Sequence, residues 1–336
     1  MQYLCKKIIE MGKIIGVGNA LVDVLTPVTE GELEALGLER GSMQLIDEER
    51  YRTLGDRLSA VRTERATGGS AANTILALAA LGQEAGFMGK VGRDELGRFF
   101  ADTFNRQGVR LHLTESPLHT GVASTFVSKD GERTFATFLG AAATMCAEDV
   151  RPEELDDYDV LYVEGYLVQN HELIQTVMRK AHEAGLKVAL DMASYNVVEA
   201  ERDFFAYLLS RYVDIVLANE EEARAFTGKE PEEALVEFSA LCHTAVVKLG
   251  ARGAMACCGD CRVTVASEPV ERVVDTTAAG DFFAGGFLYG ELRNCPLADC
   301  VRLGNLMGRR AVRVWGTALA PEEWHEIRLK VKDIVG

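Results

Sequence analysis

The sequence predicts an α/β protein, a central, mostly parallel sheet with helices on both faces, plus a small β-sheet set apart from it. Three observations predict it. From Asp159 onward, short apolar runs alternate with helical periodicity at the spacing of right-handed crossover units. Tyr166, Asp191, Asn219, Lys248 and Asp275 stand at or just after the ends of those runs, where the ligands of such sheets bind. One stretch, Val122 to Leu139, reads instead as two alternating strands around Asp130-Gly131, a hairpin signal.

Taken in order, Lys13 to Gly18 (KIIGVG) is a short buried strand ending in glycine, with Asn19 and Asp23 on its continuation. Gly16-Val17-Gly18 begins like a dinucleotide fingerprint, but Leu21 occupies the third glycine's place and Val22 to Val28 reads as strand, which argues against a nicotinamide dehydrogenase. Residues 29–65 are polar and turn-rich, with a helix near Asp47 to Leu58. Thr67-Gly68-Gly69-Ser70 then leads into AANTILALAALG, a helix with a small apolar face that Ser70 is placed to cap. The paired glycines allow backbone angles other residues resist, and mark a hinge, a tight loop or a close ligand approach. Asn73 falls in the first helical turn, where its amide can meet a polyol.

Ala85 to Val91 is a strand, and Asp94 to Gln107 a helix with Phe99, Phe100 and Phe104 inward. Arg133 follows the hairpin turn, on a strand able to project over a site or simply exposed. Strands at Asp159 to Gly165, Leu186 to Asp191, Val213 to Ala218 and Thr244 to Leu249 alternate with helices at Asn170 to Ala184, near Glu199 to Arg211, from Asn219, and at Pro231 to Cys242. Asn219 caps its helix and Glu220, Glu221 and Glu222 suit the helix dipole, while a carboxylate one turn in can also hold magnesium-bound water. Lys248-Leu249-Gly250-Ala251-Arg252-Gly253 is a strand end and a glycine turn that admits phosphates or a base close to the backbone. Leu297 to Val314 is a long helix, followed by a short tail.

The chemistry concentrates in Asp275 to Gly286, DTTAAGDFFAGG, where a small-residue helix opens after an apolar run. Ala278, Ala279 and Gly280 bring bare backbone close to a ligand, and a helix's first-turn N–H groups with its dipole favour an anion. Asp281 repels that anion unless its carboxylate acts on something beside it. A base that takes a proton from an attacking hydroxyl fits, and so does a plain helix cap.

Composition bounds the rest. The chain has 336 residues, 48% hydrophobic and 26% charged, with a formal net charge of −15, which argues against nucleic acid and anionic membranes as partners. No apolar run approaches a bilayer's span and residues 1–12 lack a signal-peptide h-region, so a cytoplasmic protein is expected. The eight cysteines are scattered, and Cys258-Gly-Asp-Cys261 has no second pair at zinc spacing, so free thiols are expected.

Assembled, these residues make the chain resemble the ribokinase-like, or PfkB, family of sugar and nucleoside kinases, nearly end to end. The resemblance rests on the GG segment at Gly68 to Gly92, NxxE at Asn219 to Glu222 and DTTAAGD at Asp275 to Asp281, in this order and spacing. It implies one kinase domain over 1–336 with lid strands from about 20–48 and 120–140, and ATP-dependent phosphorylation of a primary hydroxyl. By resemblance, Asp281 would be the base, with the backbone of Ala278, Ala279, Gly280 and Asp281 as anion hole. Asn19, Asp23, Gly68, Gly69 and Asn73 would hold the acceptor, and Asn219, Lys248, Gly250, Gly253 and Asn305 would surround ATP. Glu222 would organise Mg²⁺ through water, and a monovalent cation such as K⁺ is admitted. GVGNALVDV, TGGSAAN and DGERTFATFLGAA look like the adenosine kinase branch, in which Arg133 would help neutralise phosphates and Tyr166 would face the purine. The acceptor-lining positions of that branch are only partly kept, with Thr137 and Phe138 bulkier or more polar than expected. Nucleoside and free-sugar acceptors therefore both stand at this point, as does a catalytically silent ligand-binding protein on the same fold, which the presence of Asp281 disfavours. The lid strands have edges that a second copy could cover.

Overall fold

The computed structural model describes residues 12–58, 63–128 and 133–336. In chain order the elements are β1 (Ile14–Val17), β2 (Leu21–Pro27), α1 (Glu30–Leu36), β3 (Met43–Leu45), α2 (Glu48–Leu58), β4 (Glu64–Gly68), α3 (Ser70–Ala80), β5 (Ala85–Gly92), α4 (Glu95–Arg106), β6 (Arg110–Ser116), β7 (Gly121–Val127) and β8 (Arg133–Phe138). There follow β9 (Val160–Glu164), α5 (His171–Glu183), β10 (Lys187–Asp191), α6 (Tyr195–Ala200), α7 (Arg202–Arg211), β11 (Ile215–Asn219), α8 (Glu220–Thr227), α9 (Pro231–Leu241), β12 (Thr244–Lys248), β13 (Ala254–Cys258), β14 (Cys261–Val265), α10 (Ala279–Glu291), α11 (Leu297–Ala311) and α12 (Pro321–Val335).

Nine strands form one sheet in the order β14-β13-β12-β11-β10-β9-β1-β5-β6, parallel from β12 to β6. The two-residue periodicity of its strands sorts their side chains between two cores. Leu161 and Val163 of β9 join helices α5 to α9 on one face, while Val160 and Tyr162 join α3, α4, α10 and α11 on the other. Both faces are covered, which is why these strands read as continuous apolar runs. The chain runs outward from β1 to β5 and β6, then returns to β9 on the other side of β1. This reversal opens a crevice beyond the carboxyl ends of β1 and β9. A second sheet, β3-β8-β7-β2-β4, closes over its own small core of Leu33, Leu36, Leu54, Phe126 and Ala136.

Several expectations need correction. The polar stretch 29–65 holds α1, β3 and β4, because Thr29 and Glu32 form a capping box and Leu33 and Leu36 supply an apolar stripe. β6 went unread, since its half-buried edge position gives it no apolar run. The helix near 199–211 is two helices, broken at Glu201. The tail is α12, whose Ile327 and Val331 pack on Leu303 and Met307 of α11. β13 and β14 add a second hairpin, in which Cys258 pairs with Cys261 across the strands as free thiols. The Asp130-Gly131 turn lies outside the described residues.

Candidate functional site

The crevice collects its residues from distant segments. Asp281 stands in the first turn of α10 and is half-buried. Its carboxylate accepts from Ser70 Oγ at 2.6 Å and from Asn73 Nδ2 at 2.9 Å, both on the first turn of α3, and Thr74 Oγ1 donates to its carbonyl at 3.1 Å. Burial pushes its pKa up to about 6 against the pull of Ser70 and Asn73, and the nearby Asp191 adds to the rise. Such a carboxylate is ionised at neutral pH yet sits close enough to it to take up a proton. Asn73 is 6% exposed and its Oδ1 has no partner, so one acceptor atom is left for a ligand hydroxyl.

The expected cap at Ser70 is not formed. Gly69 is the N-cap of α3, without a side-chain bond, and Ser70 turns to Asp281, whose half-buried carboxylate is the stronger acceptor. The paired glycines are explained by close approach. A Cβ at Gly69, where φ is +99°, would lie 2.2 Å from the Asn19 carbonyl oxygen, and one at Gly68 would lie 2.1 Å from Asp23 Oδ1. These two residues thus press β2 and the end of β1 against the start of α3.

Glu164, 1% exposed at the end of β9, was missed by sequence reasoning. One oxygen accepts from Asn19 N at 2.8 Å and Asn19 Nδ2 at 2.6 Å, and the other from Ala71 N at 2.9 Å. Burial pushes its pKa up to about 7 despite these bonds. The available signal was a lone acid closing an apolar strand in DVLYVEG. Tyr166 follows in a short 3₁₀ turn, half-buried, with its pKa raised to about 12 by burial and further by Glu222, Asp281 and Glu164.

On the other side of Asp281, Lys248 is 9% exposed and donates to Asp191 Oδ2 at 2.7 Å. Burial works to lower its pKa, but Asp191 and Glu222 outweigh it and hold the ammonium above its ordinary value. A Cβ at Gly280 would lie 3.4 Å from Lys248 Nζ, so this charge sits against the start of α10. The partnership of Lys248 with Asp191 was also not anticipated. Ala278, the N-cap of α10, has φ +57°, a left-handed conformation that costs a non-glycine residue roughly 1 kcal/mol or more and accounts for the tightness of the turn. The Ala279 N–H turns back to the Thr276 carbonyl at 3.3 Å, so the backbone that faces the crevice is chiefly that of Gly280 and Asp281. Asp275, at the end of an apolar run, is used structurally, accepting from Thr277 N at 2.9 Å and Gly316 N at 2.8 Å.

Asn219 and Glu222 make a reciprocal capping box on α8, with Asn219 Oδ1 accepting from Glu222 N at 2.8 Å and Glu222 accepting from Asn219 N at 2.7 Å and from its Nδ2 at 2.6 Å. Burial pushes Glu222 up to about 7, with Lys248 opposing. Asn219, Lys248, Gly250, Gly253 and Asn305 all line one cavity of ≈ 420 Å³, which extends to Ala279 and Gly280. Gly253, at φ +102°, lets the turn pass beneath the Val265 carbonyl, and Asn305 Nδ2 donates to that same oxygen at 3.0 Å. Arg133 begins β8 opposite Val127, and its side chain lies outside the described residues. Among the described residues there is no cluster of three His, Cys, Asp or Glu side chains fit to hold a metal, and no helix long and apolar enough to cross a membrane.

Comparison with known proteins extends this picture. The model of the pfkB family carbohydrate kinases matches residues 41–324. An uncharacterized sugar kinase of Archaeoglobus fulgidus is 29% identical over 246 residues, 72% of this chain and 96% of that protein. Among solved structures, a probable sugar kinase from Rhizobium etli aligns with a TM-score of 0.86 at 33% identity, covering 95% of this chain and 98% of its own. An adenosine kinase from Sinorhizobium meliloti aligns equally well, with a TM-score of 0.86, 33% identity and coverage of 95% and 99%.

Proposed function

This chain belongs to the pfkB family of carbohydrate kinases, phosphotransferases that act on hydroxyl groups, and from that premise we propose that it transfers the γ-phosphate of ATP to a primary hydroxyl of a nucleoside or sugar, with Asp281 as general base. One observation carries the assignment of the base: a half-buried carboxylate at a helix N-terminus, with its pKa raised towards neutrality, held by two donors from a second helix. Asp281 accepts the proton of the attacking hydroxyl, and the backbone of Gly280 and Asp281 within the turn from Ala278, with Lys248 behind Gly280, holds the negative charge of the transferred group. Asn73 Oδ1, Asp23, Asn19 and the Gly68-Gly69 backbone orient the acceptor. Asn219, Gly250, Gly253 and Asn305 bound the nucleotide.

The charges of the crevice bear on the cofactor. Among the described residues, Asp191, Glu222 and Asp281 face the ammonium of Lys248, so a polyanionic donor needs a further cation. With no three-ligand metal cluster among the described residues, this arrangement fits Mg²⁺ carried by the phosphates, with Glu222 reaching it through water. Bound there, the ion would neutralise charge on the phosphates. The second sheet would act as the lid over the acceptor, excluding water as a competing acceptor, and its edge strands β3 and β4 would be the place for a homodimer to form.

The nucleoside reading is favoured by Tyr166, an aromatic ring among Glu164, Glu222 and Asp281, and is supported by the likeness to an adenosine kinase. ADP release with Mg·ATP against adenosine, inosine, guanosine, cytidine, ribose, fructose and 2-keto-3-deoxygluconate tests it. Turnover on a nucleoside and not on ribose is expected. Turnover on free sugars alone would assign Tyr166 to packing, and no turnover on any of them would overturn the kinase reading for these acceptors.

Two further outcomes follow from the geometry. The base acts only when ionised, so log kcat/KM should rise with pH by about one unit per pH unit below about 6 and level off above it, as the free-enzyme pKa of Asp281 requires. A profile flat from pH 5 to 8 would remove Asp281 from the role. Gly68→Ala drives a methyl group into Asp23, whose carboxylate must swing away. KM for the acceptor should rise roughly tenfold or more while KM for ATP stays within about twofold, since misplacement by an ångström is costly in a positioned site. Equal rises in both would show that the glycine serves folding alone.

A further inference from the structure

The chain carries a net charge of −15, yet a cavity of ≈ 470 Å³ is lined by Arg272, Arg309, Arg310, Arg313 and Lys330, with Glu271 the acid in its wall. Two of the cations are neutralised: Arg310, buried, pairs with Glu326 at 3.0 Å, and Arg309 pairs with Glu268. Arg272, Arg313 and Lys330 make no side-chain hydrogen bond or ion pair among the described residues. They come from three separate segments: the irregular stretch between β14 and α10, the turn after α11, and α12. Three uncompensated cations gathered around one concavity repel each other, and a bound anion relieves that repulsion.

The cavity is similar in size to the ≈ 420 Å³ nucleotide cleft, and Pro269, Val270 and Arg309 line both. We infer that it is a second anion site, which takes a small molecule bearing a chain of phosphates, either a nucleoside polyphosphate or an inorganic one, and communicates with the nucleotide cleft through the shared 269–270 wall. A chain of phosphates suits cations spread over a cavity of this size better than a single phosphate does. The global negative charge and the concave shape disfavour nucleic acid. The inference rests on the cavity itself and survives a different answer to which acceptor is phosphorylated.

Calorimetric titration with inorganic tripolyphosphate tests it on three proteins. These are the wild type, the variant Arg272→Glu/Arg313→Glu/Lys330→Glu, and Gly280→Asp, which places an acid at the start of α10 where a Cβ has room. The triple variant should bind at least tenfold more weakly and Gly280→Asp should keep wild-type affinity, with affinity in both wild type and Gly280→Asp falling as salt is raised. Loss of binding in Gly280→Asp with retention in the triple variant would place the anion in the nucleotide cleft and overturn the inference, as would no binding by the wild type. A neutral set, Arg272→Gln/Arg313→Gln/Lys330→Gln, with an unchanged melting temperature, guards against misfolding, and it too must weaken binding. Titrating Gly280→Asp with ATP then names the source. Tighter binding than tripolyphosphate points to a nucleotide, and equal binding to phosphates alone. Kinase turnover, measured separately, reports on the proposed function and not on this site.

Discussion

Asp281→Asn should bind nucleotide and acceptor as the wild type does and turn over at least about two orders of magnitude more slowly, the usual contribution of a positioned general base. The substitution keeps shape and volume. Ser70 Oγ can rotate to accept from the new amide while Asn73 Nδ2 keeps an oxygen partner, so the contact between α3 and α10 survives. What disappears is the proton acceptor. The variant also lacks the negative charge that shares the crevice with Asp191 and Glu222, so ATP affinity should hold or improve. Single-turnover rates beside equilibrium binding of both substrates decide the matter. A rate within tenfold of wild type, with binding intact, would mean that the proton leaves by another route and that Asp281 merely ties two helices together.

Lys248→Met should lower the unfolding free energy at neutral pH by roughly 3–5 kcal/mol, the cost of breaking a buried ion pair from one side. Its ammonium donates to Asp191 at 2.7 Å in a site where both side chains are nearly inaccessible, and Glu222 and Asp281 also lean on it. Methionine leaves these carboxylates unopposed. On acidification Glu222, raised to about 7 even with the ammonium opposing the rise, takes up a proton more readily in the folded variant, so the difference from wild type should shrink as pH falls. Asp191→Asn on the same background should recover much of the loss, because the uncompensated charge is gone. Urea unfolding at two pH values measures all of this. A loss below about 1 kcal/mol would show that the pair is solvated and weak.

The parallel core was largely legible because its strands are buried on both faces and announce themselves as apolar runs between amphipathic helices. DTTAAGD and the NxxE capping box were legible because their physics is local, a helix start and the groups that satisfy it. Elements stabilised by distant contacts were harder. β6 is an edge strand without an apolar run, and α12, which the sequence shows only as a short tail, buries its apolar face of Ile327 and Val331 against α11.

By itself, the sequence determined the alternation that makes a parallel sheet, the helix that opens in DTTAAGDFFAGG with its carboxylate, the glycines at 68 and 69, and several of the polar residues at the strand ends, Asp191, Asn219 and Lys248 among them but not Glu164. Only the tertiary structure decided who partners whom. Ser70 reaches Asp281 across 211 residues, Asn19 reaches Glu164 across 145, and Lys248 reaches Asp191 across 57. Spacing along a chain reports interactions within a turn of helix or a pair of strands. These longer pairings depend on strand order, set by which faces can be buried together, and that order brings the ends of β1, β9, β10 and β12 and the starts of α3 and α10 to one crevice. Burial there raises the pKa values of Asp281, Glu164 and Glu222 to between about 6 and 7, a property of enclosure that no residue carries in its own side chain.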